Sequence, residues 1–582
     1  MFTTIIKYVA VDSSDVAFQR DKVEALLEKG TNTMQRTSRI EKADLTTVLL
    51  HWTLVLTLVF SLLTGLRISA DAEGSVWANA LGALLLQGDV MHWHVWAAYA
   101  LSLAAVAYVA FLTRARLLAR VALDRTRLRS LSSADRRVRW KVINVVLYWC
   151  AFGLLGAATV TGTVLYFFPG LFPHVAVIAV HRAVAWLVIA YVVFHVLSQL
   201  VQGGLGQLLK ILNPRAAYGT AAVTAMLIAV VVGAGVYALD QAIIRDLNVV
   251  EAGTVPTIDG DPNDVAWQAA KTIDISTNRG ANQPGGEVTV TVRMLHDNET
   301  LYALFEWPDT TRSQKHLPLQ KTASGWRVVQ KEFGIQDEDD YYEDKFGVML
   351  ARTPQIAGAG TSHLGPKPIA NKPSPSGGRG LHYTTDGSNV DVWHWKSVRS
   401  GSSAMNQIDD NYFGPPLEPK AEGGRYTGGY TKDPKTAGGF KMNWEEYGDG
   451  VVRPLRLPKD PKLLERLGEL NLDPDVGDDG EFWLPLAQTV AYSEELDTYP
   501  VGTVMPSVLI EGPFEGDRGD VRAVAHWQDG WWHLEVTRKL DTGSEYDTPL
   551  VKDEPVYLWV AVFDHAQTRH SLHLHPVRLV LE

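Results

Sequence analysis

Residues 181–195 read HRAVAWLVIAYVVFH, with a histidine at each end of an otherwise almost unbroken apolar run. Such a run has the composition of a membrane span, where an ionisable side chain is costly and by default functional. Fourteen positions make almost four helical turns, so His181 and His195 project from one face, about 21 Å apart at about 1.5 Å rise per residue. One helix thus presents two imidazoles at two depths.

Working outward, runs of apolar residues long enough to cross a bilayer are expected near 45–66, 93–113, 142–168, 174–200 and 217–240. Between the second and third lies RARLLARVALDRTRLRSLSSADRRVRWK (114–141), with ten basic and two acidic residues. Positive loops face the cytoplasm. The connection 67–91 has one Arg against three acids, and Lys210 and Arg215 follow the fourth span, so the short loops agree. Five spans then place the N-terminus inside and everything after residue 240 outside. No cleavable signal peptide is expected in the charged first 44 residues, so the first span itself directs insertion. There VAFQRDKVEALLEKG (16–30) suits either a short amphipathic helix or a solvated extension.

The other intramembrane histidines fall at matching depths. His51 sits early in the first span, which runs outward, and His195 late in the fourth, which runs inward; both lie toward the cytoplasm and can share one iron. His94, with His92 as the alternative, opens the second span near the outer surface and can share a second iron with His181. Two haems stacked across the membrane, each between two imidazoles, account for these depths. Gly65 in LLTGL and Gly162 in TVTGTV would let a flat macrocycle approach the helix backbone. Packing or headgroup-level histidines are the plainer reading of any one of these residues, but a matched set of four argues against it. A proton-coupled transporter also uses membrane histidines, yet these spans carry almost no Asp or Glu for a relay and look continuous.

HWTLVLTLVFSLLTGL (51–66), HWHVWAAYAL (92–101) and the H-x13-H fourth span resemble the dihaem cytochrome b subunits of membrane hydrogenases and formate dehydrogenases, related to bacterial cytochrome b561, over residues 40–212. The resemblance implies two haems b, one on His51 and His195 and one on His94 and His181, and electron exchange with quinone or quinol. In that family a small residue follows the ligand by four positions. Ala98 satisfies this for His94, whereas Trp96 follows His92.

The chain changes character after Asp240. Residues 1–240 carry 21 Lys and Arg against 13 Asp and Glu, whereas 241–582 carry 33 against 52. The acidic half argues against nucleic acid as a partner, since phosphates demand a basic face. Cys150 is the one cysteine, which excludes intramolecular disulfides, four-cysteine zinc sites, iron–sulfur clusters and covalent CxxCH haem attachment within this chain. TVPTIDGDPNDVAWQAAKTIDIS (254–276) is rich in turn formers, and EVTVTVRML (287–295) and TLYALFEW (300–307) alternate like strands. An all-β, sandwich-like domain is expected, with a long Gly/Pro-rich loop at 352–382 and little strand pattern in 421–480.

IDGDPNDVAW (258–267), YYEDKFGVML (341–350), GRGLHYTTDGSNVDVWHWKSVRS (378–400) and the closing HWQDGWWHLEVTRKLDT (526–542) and VYLWVAVFDHAQTRHSLHLHPVRLVL (556–581) resemble the haem-binding domain of the ethylbenzene dehydrogenase γ-subunit and its relatives among dimethylsulfoxide-reductase-type enzymes. In that family one haem b is held by a methionine shortly before a V-x-x-W-x-W motif and by a lysine late in the last strand pair. Those positions fall here at or near His382 and His570. The resemblance thus implies a third haem with both family ligands changed to histidine, and a lower potential than a thioether ligand gives. His363, His394, His573 and His575 are nearby alternatives. The acidic run DEDDYYED (337–344) raises calcium, although no EF-hand spacing is present.

The expected organisation is a cytoplasmic extension (1–44), a four-helix dihaem domain (45–212), a fifth span and linker (213–245) and a periplasmic β domain (246–582). The chain is expected in the bacterial inner membrane as a multi-pass protein. It would carry electrons between quinone and a periplasmic partner such as a cytochrome c or an oxidoreductase subunit, with quinol oxidation or quinone reduction as its only chemistry, since no catalytic acid, base or nucleophile constellation is visible. The alternative is a cytochrome b anchor whose outer domain is a haem-free carbohydrate- or partner-binding module, with Trp393, Trp395, Trp531 and Trp532 stacking on sugar rings.

Overall fold

The computed structural model describes residues 44–70, 85–86, 90–208, 219–330, 338–354, 362–363, 382–384, 387–415, 430–448 and 451–582. The N-terminal segment expected as an amphipathic helix lies outside them. Among these described residues, five helices are long and apolar enough to cross a membrane: α1 (Leu45–Ala70), α2 (Val90–Arg114), α3 (Arg136–Phe167), α4 (His174–Leu208) and α5 (Gly219–Ala242). Asp44 starts α1 as its N-cap, accepting from Thr47 N–H and Thr47 Oγ1, each at 2.7 Å. Pro173 immediately precedes α4, where a missing N–H costs nothing.

Packing divides the chain into two compact units, and the division crosses the helices. The first holds the helix segments up to Phe60, Ala97–Gly162 and Ala179–Tyr237; the second holds Ser61–Trp96, Thr163–Ile178 and Ala238–Glu582. In the first, α2 and α5 meet through small residues, with Ala107, Ala110, Ala221 and Ala225 around the buried Phe111. A Cβ on Gly233 would lie 3.3 Å from Leu103 Cδ1, so glycine sets how closely α5 approaches α2. Asn144 joins α3 to α4, accepting from Ser198 Oγ and from Gln199 Nε2 and donating to Gln202. Polar groups away from water hold helices together in this way.

The second unit is built on a twelve-stranded sheet: β1 (Arg245–Glu251), β2 (Thr272–Thr277), β3 (Val288–His296), β4 (Thr300–Pro308), β5 (Lys345–Ala351), β6 (Val390–Lys396), β7 (Asp409–Phe413), β8 (Tyr430–Lys432), β9 (Arg522–Gln528), β10 (Trp531–Lys539), β11 (Val556–Phe563) and β12 (Val577–Leu581). Its order is β8-β7-β6-β5-β11-β12-β1-β3-β4-β10-β9, with β2 on β3. Strand β1 joins the two arms by pairing in parallel with both β12 and β3. One apolar core takes residues from both arms, among them Val290, Phe305 and Trp307 on one side and Phe346, Val348 and Trp395 on the other. The sheet therefore curls on itself into a sandwich-like body.

Trp393, Trp395 and Trp532 are core filling, at 0%, 1% and 3% exposure, while Trp531 is 41% exposed. Large aromatics at inward positions bury the most apolar area per residue, which is the reason for their place here. The stretch with little strand pattern is, in its described part, strand-rich: Tyr430–Lys432, Ala437–Met442, Trp444–Gly448, Val451–Pro454 and Arg456–Pro458. These strands are too short and too rich in Gly and Pro to show a period of two. The last three contribute Trp444, Val452 and Leu457 to a second core with Leu319, Trp326 and Met505.

Asp409 on β7 is fully buried between Lys396 and Arg518. Burial pushes its carboxyl up, but the Lys396 charge and the Arg518 hydrogen bond outweigh that and hold it at about 2. Burial in turn pulls Lys396 down to about 8. Because the Asp409 pKa is depressed on folding, its contribution is present above about pH 4 and lost as pH falls toward 2. Asp409→Asn leaves two buried cations without their carboxylate, and a loss of roughly 3–5 kcal/mol is expected at neutral pH. Thermal unfolding followed by tryptophan fluorescence measures it.

Candidate haem-binding sites

His51 on α1 and His195 on α4 meet within the first unit, their ring centres 6.5 Å apart and their planes 41° to one another. Two trans imidazoles on one metal, each with a bond of about 2.0–2.1 Å and about 1.1 Å from nitrogen to ring centre, hold their centres about 6.3 Å apart. The observed separation fits an iron between the rings. It is too long for direct ring stacking. His195 also stacks on Tyr191 at 5.6 Å, and its carbonyl accepts from Ser198 Oγ at 3.0 Å, which ties this turn of α4 to Asn144 on α3.

The other two membrane histidines are each seated on a Thr-Gly pair of a neighbouring helix. His94 Nδ1 lies 3.1 Å from Ser61 O and 3.0 Å from Thr64 Oγ1, and a Cβ on Gly65 would stand 3.1 Å from His94 Cε1. His181 Nδ1 lies 2.8 Å from Thr161 Oγ1, and a Cβ on Gly162 would stand 3.5 Å from His181 Cε1. Hydrogen-bond roles fix the tautomer. Ser61 O can only accept, and Thr161 Oγ1 gives its own hydrogen to Ala157 O at 2.8 Å, so in both rings Nδ1 carries the proton. Nε2 then keeps its lone pair, the form in which imidazole ligates a metal. His92 packs against Trp96, ring centres 5.9 Å apart. Gly65 and Gly162 each make room for an imidazole, a contact visible only once the helices are paired.

In the sheet domain His570 Nδ1 donates to Ser571 O, 2.9 Å away, since a carbonyl oxygen can only accept. Its ring lies 4.8 Å from Phe563, whose ring also stacks on His394 at 5.4 Å. His394 Nε2 is shut off from solvent, and burial, with Lys396, Lys345 and Arg399 nearby, pushes this imidazole well below its usual range. His382 opposes His363 in the pairing of two short strands, Ser362–His363 and His382–Tyr383; the side chains of both are outside the described part. His573 is spent on the fold, its Nε2 accepting from Val560 N–H at 2.9 Å and its Nδ1 facing His575 O at 2.7 Å. Burial lowers it to about 4. His575 Nε2 is 2.7 Å from Tyr166 O and serves packing in the same way.

In the acidic run, Glu338, Glu343 and Asp344 have partners within the fold. Glu338 accepts from the N–H groups of Asp340 and Tyr341, Glu343 pairs with Arg399 and His316, and Asp344 accepts from Ser313 N–H and Trp532 Nε1.

Apolar helices with a histidine pair spaced for iron, followed by a curled β domain, define a membrane b-type cytochrome with a large appended sheet domain. The chain belongs to the ethylbenzene dehydrogenase family, whose model matches residues 264–574, and residues 42–214 match the model of prokaryotic cytochrome b561. Haem b is thereby implied for the helical segment. Curated proteins give no match. Among solved structures, a family 9 carbohydrate-binding module from Caldicellulosiruptor kristjanssonii in complex with cellotriose is 8% identical, with 58% of this chain and 94% of that one covered and a TM-score of 0.20. A carbohydrate-binding protein from Bacteroides uniformis is 7% identical over 58% of this chain and 99% of that one, with a TM-score of 0.24. Likenesses this low carry no argument about function.

Proposed function

We propose that this protein carries electrons between the quinone pool and a redox partner outside the cytoplasm. Two haems b in the helices would serve this transfer, one held by His51 and His195 and one by His94 and His181, with a third haem b in the sheet domain on His382 and His570. The observation that carries the reading is the 6.5 Å separation of the His51 and His195 rings, which suits a shared iron. The depth match of His94 with His181 supports the second pair, and their like Thr-Gly seats support the same role for both. Bound haem would supply the one-electron chemistry; the chain supplies ligation, burial and orientation. The positive loop 114–141 supports a cytoplasmic N-terminus and an outer sheet domain.

The seat of His181 offers a test that leaves the ligand itself intact. Thr161→Val removes the acceptor that holds Nδ1–H and makes the imidazole a weaker, less oriented ligand. Loss of an outer-shell partner of this kind lowers metal affinity by roughly 10–100-fold. Haem should be lost from this variant at lower detergent or competing apomyoglobin concentration than from wild type, while Thr161→Ser should retain it. Equal retention in Thr161→Val and wild type would remove the hydroxyl from the account.

A further inference from the structure

Five aspartates from separate parts of the sheet domain converge where the β6-β7-β8 edge meets two loops. Asp391 is on β6 and Asp410 on β7. Asp433 directly follows β8, with its N–H bonded to Asp410 O at 3.2 Å. Strand register puts them on one face: Trp393 pairs with Asp410, which makes Asp391 the diagonal neighbour of Asp410, and Asn411 pairs with Lys432, which sets Asp433 beside Asp410. Asp547 comes from the loop that follows β10, held over the sheet by stacking of Tyr546 on Tyr412 at 4.7 Å. Asp520 comes from the turn before β9.

The carboxylate oxygens of Asp391, Asp410 and Asp547 lie within 4.8 Å of one another, and Asp433 and Asp520 face the same group. Asp391 and Asp410 are fully buried and Asp433 is 3% exposed. Several of their oxygens are already used on the fold. Asp391 Oδ2 takes Arg538 and Thr548 N–H, Asp410 Oδ1 takes Asn411 N–H at 2.9 Å, and Asp547 Oδ2 takes Thr542 Oγ1 at 2.6 Å. Left without a hydrogen-bond donor, and shut off from water, are Asp391 Oδ1, Asp410 Oδ2, both oxygens of Asp433, Asp520 Oδ1 and Asp547 Oδ1. Among the described residues Arg538 is the cation paired with this group, on the far oxygen of Asp391.

We propose that these six oxygens form a binding site for one calcium ion. Calcium takes six to eight oxygen ligands at about 2.3–2.6 Å, so ligands on opposite sides of the ion stand up to about 5 Å apart, a span that the 4.8 Å among the Asp391, Asp410 and Asp547 oxygens suits. The donor set is oxygen alone, which favours a hard cation over zinc or copper, and six carboxylate oxygens from five residues suit calcium better than magnesium, which demands a near-ideal octahedron and usually keeps several waters. The ion would pin the β6-β7-β8 edge to the loop at 541–548.

The test uses the full-length protein in detergent, stripped with chelator and titrated at neutral pH with calcium chloride alone, by calorimetry and by metal analysis after desalting. One calcium per chain is expected. Asp433→Asn should weaken binding by about tenfold, and Asp410→Asn with Asp433→Asn by about a hundredfold or more, within the span over which ligand charge tunes calcium sites. Asp340→Asn in the acidic run should leave the affinity unchanged. If the double variant fails to fold, hydrogen–deuterium exchange on wild type decides: calcium should slow exchange in 409–413 and 541–550 and magnesium should not. No calcium bound by wild type overturns the proposal, as does binding indifferent to these substitutions. Stabilisation of the stripped protein by Asp433→Asn, with no response to calcium, would show carboxylates sharing protons and would overturn it equally.

Discussion

His51→Ala and His195→Ala are each expected to remove the same haem from the purified protein, leaving the other spectral components in place. The two rings stand 6.5 Å apart on different helices, so if they hold one iron as proposed, either substitution would leave it a single imidazole in a half-buried, largely apolar site. A five-coordinate haem held by one bond and by packing alone dissociates during purification. The expected loss is one haem equivalent per chain in both variants, read from pyridine haemochromogen content, with one set of low-spin electron paramagnetic resonances missing. The double variant should lose no more than either single one, because two residues that act on one iron are not additive. Greater loss in the double variant would separate His51 and His195 onto different centres.

The second large effect is expected at His570. In wild type the Nδ1–H of this residue is bound to Ser571 O at 2.9 Å, and its ring is steadied by Phe563. If the sheet domain holds a haem as proposed, His570→Ala should leave that haem high-spin or absent, with no change in the haems of the helices. His570→Lys should keep it six-coordinate and low-spin, because the family whose model the sheet domain matches is expected to place lysine there, and a neutral amine is a competent iron ligand. A change of axial ligand shifts the midpoint potential. Neither variant should touch the lowest-energy absorption features of the membrane haems. Spectra of His570→Ala identical to wild type would remove His570 from the proposed third haem, with His394 the next residue to replace, since its Nε2 is buried beside the same Phe563.

What was legible in the chain follows from range. The helices could be read because an apolar run of span length is a local signal, and His181 and His195 because helical spacing puts fourteen residues back on one face. That His51 meets His195 needed only the direction of each span. The seats of His94 and His181 were not legible. Threonine and glycine are ordinary in membrane helices, and Thr64 and Thr161 acquire their meaning from an imidazole on another helix. His573 looked as good a ligand as His570 in HSLHLH, and only the bond to Val560 N–H shows it to be occupied. The short strands in 430–458 lack a readable period because Gly and Pro interrupt them. The five aspartates are spread from 391 to 547, each unremarkable among turn residues, and no local pattern joins them.

The most direct measurement is a reduced-minus-oxidised optical spectrum of the purified full-length protein with its haem-to-protein ratio, repeated on His195→Ala and His94→Ala. Non-covalent b-type haem with low-spin bis-imidazole features and three equivalents per chain is expected, of which each substitution removes a different one. A colourless protein, or one whose haem content is unchanged in both variants, would contradict it.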